Sequence, residues 1–259
     1  MAQETVDLAG AGPGPLRGKT VLVTGAARRV GAVIARTLHA AGANLVLHYR
    51  SSADDATALA EELNALRPAS AGLAECDLLE MTQLPTLVET AAAQFGGLDI
   101  LVNNASTFYP TPLGDITEMD WDDLIGTNLK APLFLAQAAA ARLREAQGLI
   151  VNLADIHGMK PLRRYPVYSI AKAALIMLTR SLARELGPQV RVNAVAPGPV
   201  MWPEGGVDKA LQEKITQRTV LKRLGSADDV ARACLFFATG APYVTGQILA
   251  VDGGRSIGW

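Results

Sequence analysis

The chain has 259 residues, 49% of them hydrophobic and 19% charged, with a formal net charge of −1. That size and balance suit one large soluble α/β domain and exclude a disordered or membrane-embedded chain. The near-zero charge offers no global attraction to nucleic acid or to anionic lipid, so a small-molecule ligand is expected, with any phosphate held by local groups.

Residues 1–18, with Ala-Gly-Ala-Gly-Pro-Gly-Pro, read as a flexible leader, and residues 19–259 as a single domain. Neither a signal peptide nor an apolar run near the ~20 residues that span a bilayer is present, which makes the cytoplasm the default location. Short β-branched runs predict strands at Thr20–Thr24, Asn44–His48, Ala71–Cys76, Ile100–Asn103, Leu149–Leu153, Arg191–Val195 and Gln247–Val251. Amphipathic stretches predict helices at about Val30–Ala41, Ala53–Leu66, Leu84–Phe95, Trp121–Glu145, Tyr168–Leu186 and Ala227–Ala238. This alternation is that of a Rossmann-like, doubly wound parallel sheet of about seven strands in a three-layer α/β/α arrangement. Residues 197–219, broken by Pro-Gly-Pro, Met201, Trp202 and Pro203, fit neither template and read as a lid over a ligand. Cys76 and Cys234 show no metal-ligand spacing and read as small core residues of a reducing compartment; no metal is expected.

The first strand runs through Thr24-Gly25-Ala26-Ala27-Arg28-Arg29-Val30-Gly31 straight into a helix. A glycine turn between strand and helix lets backbone N–H groups and the helix dipole approach a pyrophosphate, although a plain helix cap would use the same residues. The second strand ends in His48-Tyr49-Arg50-Ser51-Ser52, without the acidic residue that would take ribose hydroxyls. Arg50 and the serines suit a 2′-phosphate and so favour NADPH; the alternative is a solvated cation beside a helix cap. Asp77, after the third strand, either reads an adenine edge or caps its own loop. Asn103-Asn104-Ala105-Ser106 ends the fourth strand with small residues that a cofactor can lie along.

Asp155 follows the fifth strand, and Tyr168 and Lys172 stand four apart on one helix face. An ammonium beside a phenol is expected to lower its pKa from about 10 and make it a usable proton donor. Tyr165 either borders the ligand or packs as an ordinary tyrosine, and His157 either lines the cleft or faces solvent.

Thr24-Gly25 with Gly31, Asn103-Asn104-Ala105, Asn128, Tyr168 with Lys172, and Pro197-Gly198 together resemble the short-chain dehydrogenase/reductase superfamily over nearly the whole chain. The resemblance implies that Tyr168 is the general acid/base, that Lys172 holds the nicotinamide ribose and tunes Tyr168, and that Asn128 supports a proton relay. It further implies an NADPH site along Gly25, Arg29, Val30, His48, Tyr49, Arg50, Ser51, Ser52, Asp77, Leu78, Asn104, Ala105, Ser106, Tyr168, Lys172, Pro197, Gly198 and Val200. Two positions depart from the superfamily pattern. Arg29 stands where a glycine is usual, and Asp155 where a serine usually binds a substrate carbonyl. A carboxylate there would repel a developing oxyanion but suits a ring rich in N–H groups.

Those departures, with His48-Tyr49-Arg50-Ser51-Ser52 and Asn104-Ala105-Ser106-Thr107-Phe108-Tyr109-Pro110-Thr111-Pro112-Leu113, resemble pteridine reductases. That likeness implies a dihydropterin or dihydrofolate substrate contacted by Arg29, Ser106, Phe108, Asp155, Tyr168, Met201 and Trp202. Phe108 would stack on the pterin; without the likeness it would fill a hydrophobic corner equally well. It implies also a homotetramer whose C-terminal tail, ending in Trp259, reaches a neighbour's site. The rival readings are a short-chain carbonyl reductase for an acyl, sugar or steroid ketone, and a non-catalytic NADPH-binding protein.

Overall fold

The computed structural model describes residues 14–202, 206 and 208–257. Seven strands form one sheet: β1 (Thr20–Val23), β2 (Asn44–Tyr49), β3 (Ala71–Glu75), β4 (Ile100–Asn103), β5 (Leu149–Leu153), β6 (Arg191–Pro197) and β7 (Ile248–Val251). Their spatial order is β3-β2-β1-β4-β5-β6-β7, and every pairing is parallel. The strand order reverses between β1 and β4, which opens a crevice at their carboxyl ends where doubly wound folds bind ligands.

The helices are α1 (Arg29–Ala40), α2 (Ala53–Leu66), α3 (Leu84–Phe95), α4 (Glu118–Ile125), α5 (Ala131–Glu145), α6 (Pro166–Leu186), α7 (Lys209–Gln217) and α8 (Ala227–Thr239). Alternation along β1 divides the core in two. Val21 and Val23 face Ile34 and Leu38 of α1 with Val230 and Phe237 of α8. Leu22 faces the opposite side, among Val88 of α3, Leu135 of α5 and Leu182 of α6. Both faces of the sheet are thus covered, which is why the strands read as continuous apolar runs.

Three expectations change in detail. The helix expected over Trp121–Glu145 is interrupted, because Gly126–Lys130 forms a π-helical turn between α4 and α5. Pro132 opens α5 and has no N–H for the Asn128 carbonyl four residues back, so the regular ladder cannot run through. In the expected leader, Leu16 is buried in the core at 3% exposure, and its N–H donates to the Ala41 carbonyl at 2.9 Å. The segment expected to be a lid carries the short helix α7, none of whose residues is buried. Thr219 beyond it is buried and the N–H groups of Val220 and Leu221 donate to the Gly253 carbonyl, so this end of the segment is anchored beside the last strand. Cys76 and Cys234 are both free and buried, and burial raises the thiol pKa of each, Cys234 to about 12.

Candidate active site

The glycine turn is built to steric limits. Gly25 has a left-handed φ of 61°, and a Cβ there would meet the Ala105 Cα at 3.1 Å. A Cβ at Gly31 would lie 2.2 Å from the Gly25 carbonyl oxygen and 2.6 Å from Asn104 Nδ2. Such contacts explain why only glycine fits where backbone must pack on backbone. Arg29 adopts φ 54°, a conformation glycine takes freely and an arginine adopts at a cost of about 1–2 kcal/mol. Its Nη2 donates to the Trp202 carbonyl at 2.9 Å, so this cation ties the turn to the segment after β6. Val30 is half-buried in the first turn of α1.

Asn104 locks the turn from the β4 side. Its Nδ2 donates to the carbonyls of Thr24 (2.9 Å) and Gly25 (3.0 Å), while the backbone N–H groups of Asn104 and Ala105 donate to Thr24 Oγ1. The small-residue end of β4 is therefore held directly beneath the turn. These residues form a cradle that suits a dinucleotide, and the end of β2 supplies its polar rim.

At that rim, Ser51 and Ser52 line a polar hollow with Arg28, Asp54 and Asp55. Ser52 is the N-cap residue of α2, yet its side chain makes no capping bond, which disfavours the helix-cap alternative. Arg28 was not anticipated. It sits one residue before Arg29 and its Nε lies 3.6 Å from Asp55, so the doubled arginine in the turn was the available signal. Arg50 is exposed, and Tyr49 reaches across to Glu75 at 3.4 Å. Asp77 accepts from its own loop, at Leu79 N (3.0 Å), as the capping alternative has it, and Leu78 is buried. His48 is only 2% exposed, and both of its ring nitrogens are engaged within the protein.

On the other side of the crevice, the π-helical turn aims Asn128 inward. Its Nδ2 donates to Leu124 O (2.9 Å) and Thr107 O (3.0 Å), and its Oδ1 accepts from Ser106 Oγ at 2.5 Å. The turn after β5 brings Asp155 to Tyr168. Asp155 Oδ1 accepts from the His157 backbone N–H at 2.7 Å, and Oδ2 accepts from the Tyr168 hydroxyl at 2.8 Å. His157, half-buried, has its Nδ1 3.2 Å from the Lys160 carbonyl oxygen.

The expected tuning of Tyr168 is corrected here. Burial, and after it the Asp155 carboxylate, raise the phenol pKa well above its ordinary value. Lys172 Nζ sits 5.7 Å from the ring centroid, donates to the Leu153 carbonyl at 2.8 Å, and does not outweigh these effects. Burial lowers the Lys172 pKa to about 8, with Asp155 opposing. The arrangement holds a proton on Tyr168, shared toward Asp155, and keeps a buried amine beside it.

Phe108 stacks on Tyr165 with centroids 4.6 Å apart and planes at 13°, and it meets Tyr168 edge-on at 4.8 Å. One face of the expected stacking residue is thus covered by Tyr165, and the ring remains 45% exposed. Tyr109 instead packs with Leu124, Val167 and Tyr168, where burial pushes its pKa up to about 12. Gly198 follows β6 so closely against Asp252 that a Cβ would lie 2.6 Å from the Asp252 Cβ. Pro197 ends β6, Val200 packs on the core, and Met201 is 37% exposed. Trp259 lies outside the described residues. Among the described residues no cluster of metal-ligating side chains occurs, and no helix is long and apolar enough to cross a membrane.

A parallel sheet with a glycine cradle at its switch point, and a tyrosine, lysine and asparagine gathered beside it, defines a nucleotide-dependent oxidoreductase class. The family described as enoyl-(acyl carrier protein) reductase matches residues 25–256. The chain is 38% identical to pteridine reductase 1 of Leishmania tarentolae, covering 91% of this chain and 96% of that protein. It is 36% identical to a short-chain type dehydrogenase/reductase of Picea abies (93% of each), and 35% identical to a 3-oxoacyl-(acyl-carrier-protein) reductase of Staphylococcus aureus (91% and 97%). A crystal structure of a blue fluorescent protein from a metagenomic library, in complex with NADPH, superposes with a TM-score of 0.87 at 36% identity, covering 93% of this chain and 99% of that one. The chain belongs to the short-chain dehydrogenase/reductase family, and its likeness extends to pteridine reductase.

Proposed function

We propose that the protein is an NADPH-dependent reductase that converts a dihydropteridine, a dihydropterin or dihydrofolate, to its tetrahydro form. The carrying observation is the 2.8 Å bond from the Tyr168 hydroxyl to Asp155. A carboxylate at that point disfavours an oxyanion from a ketone, whereas it accepts from the ring N–H and amino groups of a pteridine. Arg28, Ser51 and Ser52, in the hollow that they share with Asp54 and Asp55, and Arg50 next in sequence, with no acid among residues 48–52, support the 2′-phosphorylated cofactor. When bound, that cofactor supplies a hydride from its nicotinamide ring.

The residues of the chain do the rest. Phe108 and Tyr165 offer an aromatic wall for a flat ring. Ser106, held by Asn128, and Arg29 stand at the polar edge. Tyr168, donating to Asp155, holds the proton that the reduced ring nitrogen takes up. Positioning accounts for much of the expected rate. The assembly read with this function is a homotetramer, supported by Ile170 and Met177, which stand exposed on one face of α6.

The test follows loss of NADPH absorbance with a dihydropterin, dihydrofolate and a panel of ketones, for the native protein and Asp155→Ser. Pterin turnover that collapses in the variant upholds the reading. Ketone turnover without pterin turnover would leave a carbonyl reductase and overturn the substrate assignment.

A further inference from the structure

We infer that His48 is a positioning residue, a buried strut that fixes the glycine turn against the loop after β3 and so sets the geometry of the cofactor's adenosine half. This rests on the NADPH reading above. The ring lies at the end of β2 with 2% exposure. Its Nδ1 is 3.1 Å from the Gly25 N–H and its Nε2 is 3.0 Å from the Cys76 carbonyl oxygen. A backbone N–H only donates and a carbonyl only accepts, so the ring must be neutral with its proton on Nε2.

The main chain repeats the link. The His48 carbonyl accepts from Ala26 N at 2.9 Å, and the Tyr49 carbonyl accepts from Cys76 N at 3.1 Å. One residue therefore connects the turn that approaches the pyrophosphate with the stretch Cys76-Asp77-Leu78 at the other edge of the cleft. Gly25 has the left-handed φ of 61° and no side chain to steady it. The imidazole takes its N–H and the His48 carbonyl takes that of Ala26, so one residue occupies the first two donors of the turn. A hydrophobic ring of equal size would fill the space but leave a buried donor and a buried acceptor unpaired.

The experiment measures affinity of the full chain by calorimetry, for NADPH and for adenosine 2′,5′-bisphosphate, in the native protein, His48→Phe and His48→Gln. Loss of the strut is expected to raise both Kd values about tenfold in His48→Phe, by the cost of unpaired buried groups. Turnover at saturating NADPH, measured beside the Kd values, separates loss of cofactor affinity from loss of chemistry. His48→Gln, whose amide carries both an acceptor and a donor, should recover most of the affinity. A folded His48→Phe with native Kd values, or with lower turnover and unchanged Kd, would overturn the inference.

Should His48→Phe not fold, nitrogen NMR of the native imidazole decides. A neutral ring protonated on Nε2 is expected, and a proton on Nδ1 at neutral pH would refute the strut. Native protein that binds neither nucleotide would overturn the cofactor reading itself, an outcome distinct from failure of the strut alone.

Discussion

The two halves of the crevice are built by opposite means. On the β1–β2 side, the site is made of close-packed backbone braced by buried side chains: Gly25 and Gly31 pack at contact distance, Asn104 Nδ2 holds the turn, and His48 is sealed beneath it. On the β5 side it is made of side chains: the Tyr168–Asp155 pair, the half-exposed Phe108, and Arg29 bonded to the Trp202 carbonyl. The first half recognises a ligand part whose shape is constant, and tolerates no added methylene. The second half presents chemistry that single substitutions can change without moving the sheet, which is how one fold serves many substrates.

The largest expected effect breaks the second half only. Tyr168→Phe removes the hydroxyl that Asp155 engages and keeps the ring against Phe108. Turnover should fall by about 10²–10⁴, the usual worth of a positioned proton donor, while calorimetric NADPH affinity changes little. An equal loss in affinity would show that the two halves are not separable.

The next effect belongs to the first half and appears as stability against pH. Burial lowers the His48 pKa to about 4 from 6.5, against the opposing pull of the Cys76 carbonyl and Asp77. The unfolded chain therefore takes up a proton that the folded ring refuses. This contribution is complete above pH 6.5 and is lost as pH falls from there towards 4, about 3 kcal/mol in total. Urea unfolding of the native protein and His48→Gln over that window should show the difference between them shrinking or reversing as acid is added. Parallel curves would remove His48 from the pH dependence.

The contrast between the halves also explains what could be read from the sequence. All seven strands were legible to within one or two residues, because a sheet covered on both faces needs unbroken apolar runs. The glycine turn was legible because its stereochemistry leaves few alternatives. The π-helical turn at Gly126–Lys130 was not, since the period of an amphipathic helix barely registers one extra residue, although Pro132 marked the place. The direction of the Tyr168 pKa was misread for a related reason. Spacing puts Lys172 on the same face, but whether its Nζ reaches the phenol or the Leu153 carbonyl depends on a rotamer and on depth of burial. Leu16 was assigned to a leader on composition, and only tertiary packing reveals that one apolar residue reaches the core.

A smaller effect sharpens the boundary at the rim, where side chains meet the backbone cradle. Arg50→Ala should lower the preference for NADPH over NADH by about tenfold, as loss of a charge-assisted contact to the 2′-phosphate. The ratio of kcat/KM for the two cofactors measures it directly. Arg28 is a second candidate, since it lines the hollow with Ser51 and Ser52 while lying 3.6 Å from Asp55. If Arg28, not Arg50, carries the phosphate, Arg50→Ala leaves the ratio unchanged and Arg28→Ala collapses it. A double variant then separates sharing from substitution, because two arginines on one phosphate give losses that do not add.

The smallest effect tests the aromatic wall. Phe108→Leu keeps an apolar side chain but abolishes the stacked pair with Tyr165, at 4.6 Å, and the edge contact with Tyr168. Aromatic pairs of this kind contribute about 0.5–1.5 kcal/mol beyond area, so substrate KM should rise roughly three- to tenfold. Turnover at saturating substrate should hold, because the Tyr168 hydroxyl stays bonded to Asp155. A fall in kcat with unchanged KM would mean that Phe108 acts by holding Tyr168 in place, and would move it from the wall of the substrate site to the support of the proton-holding pair.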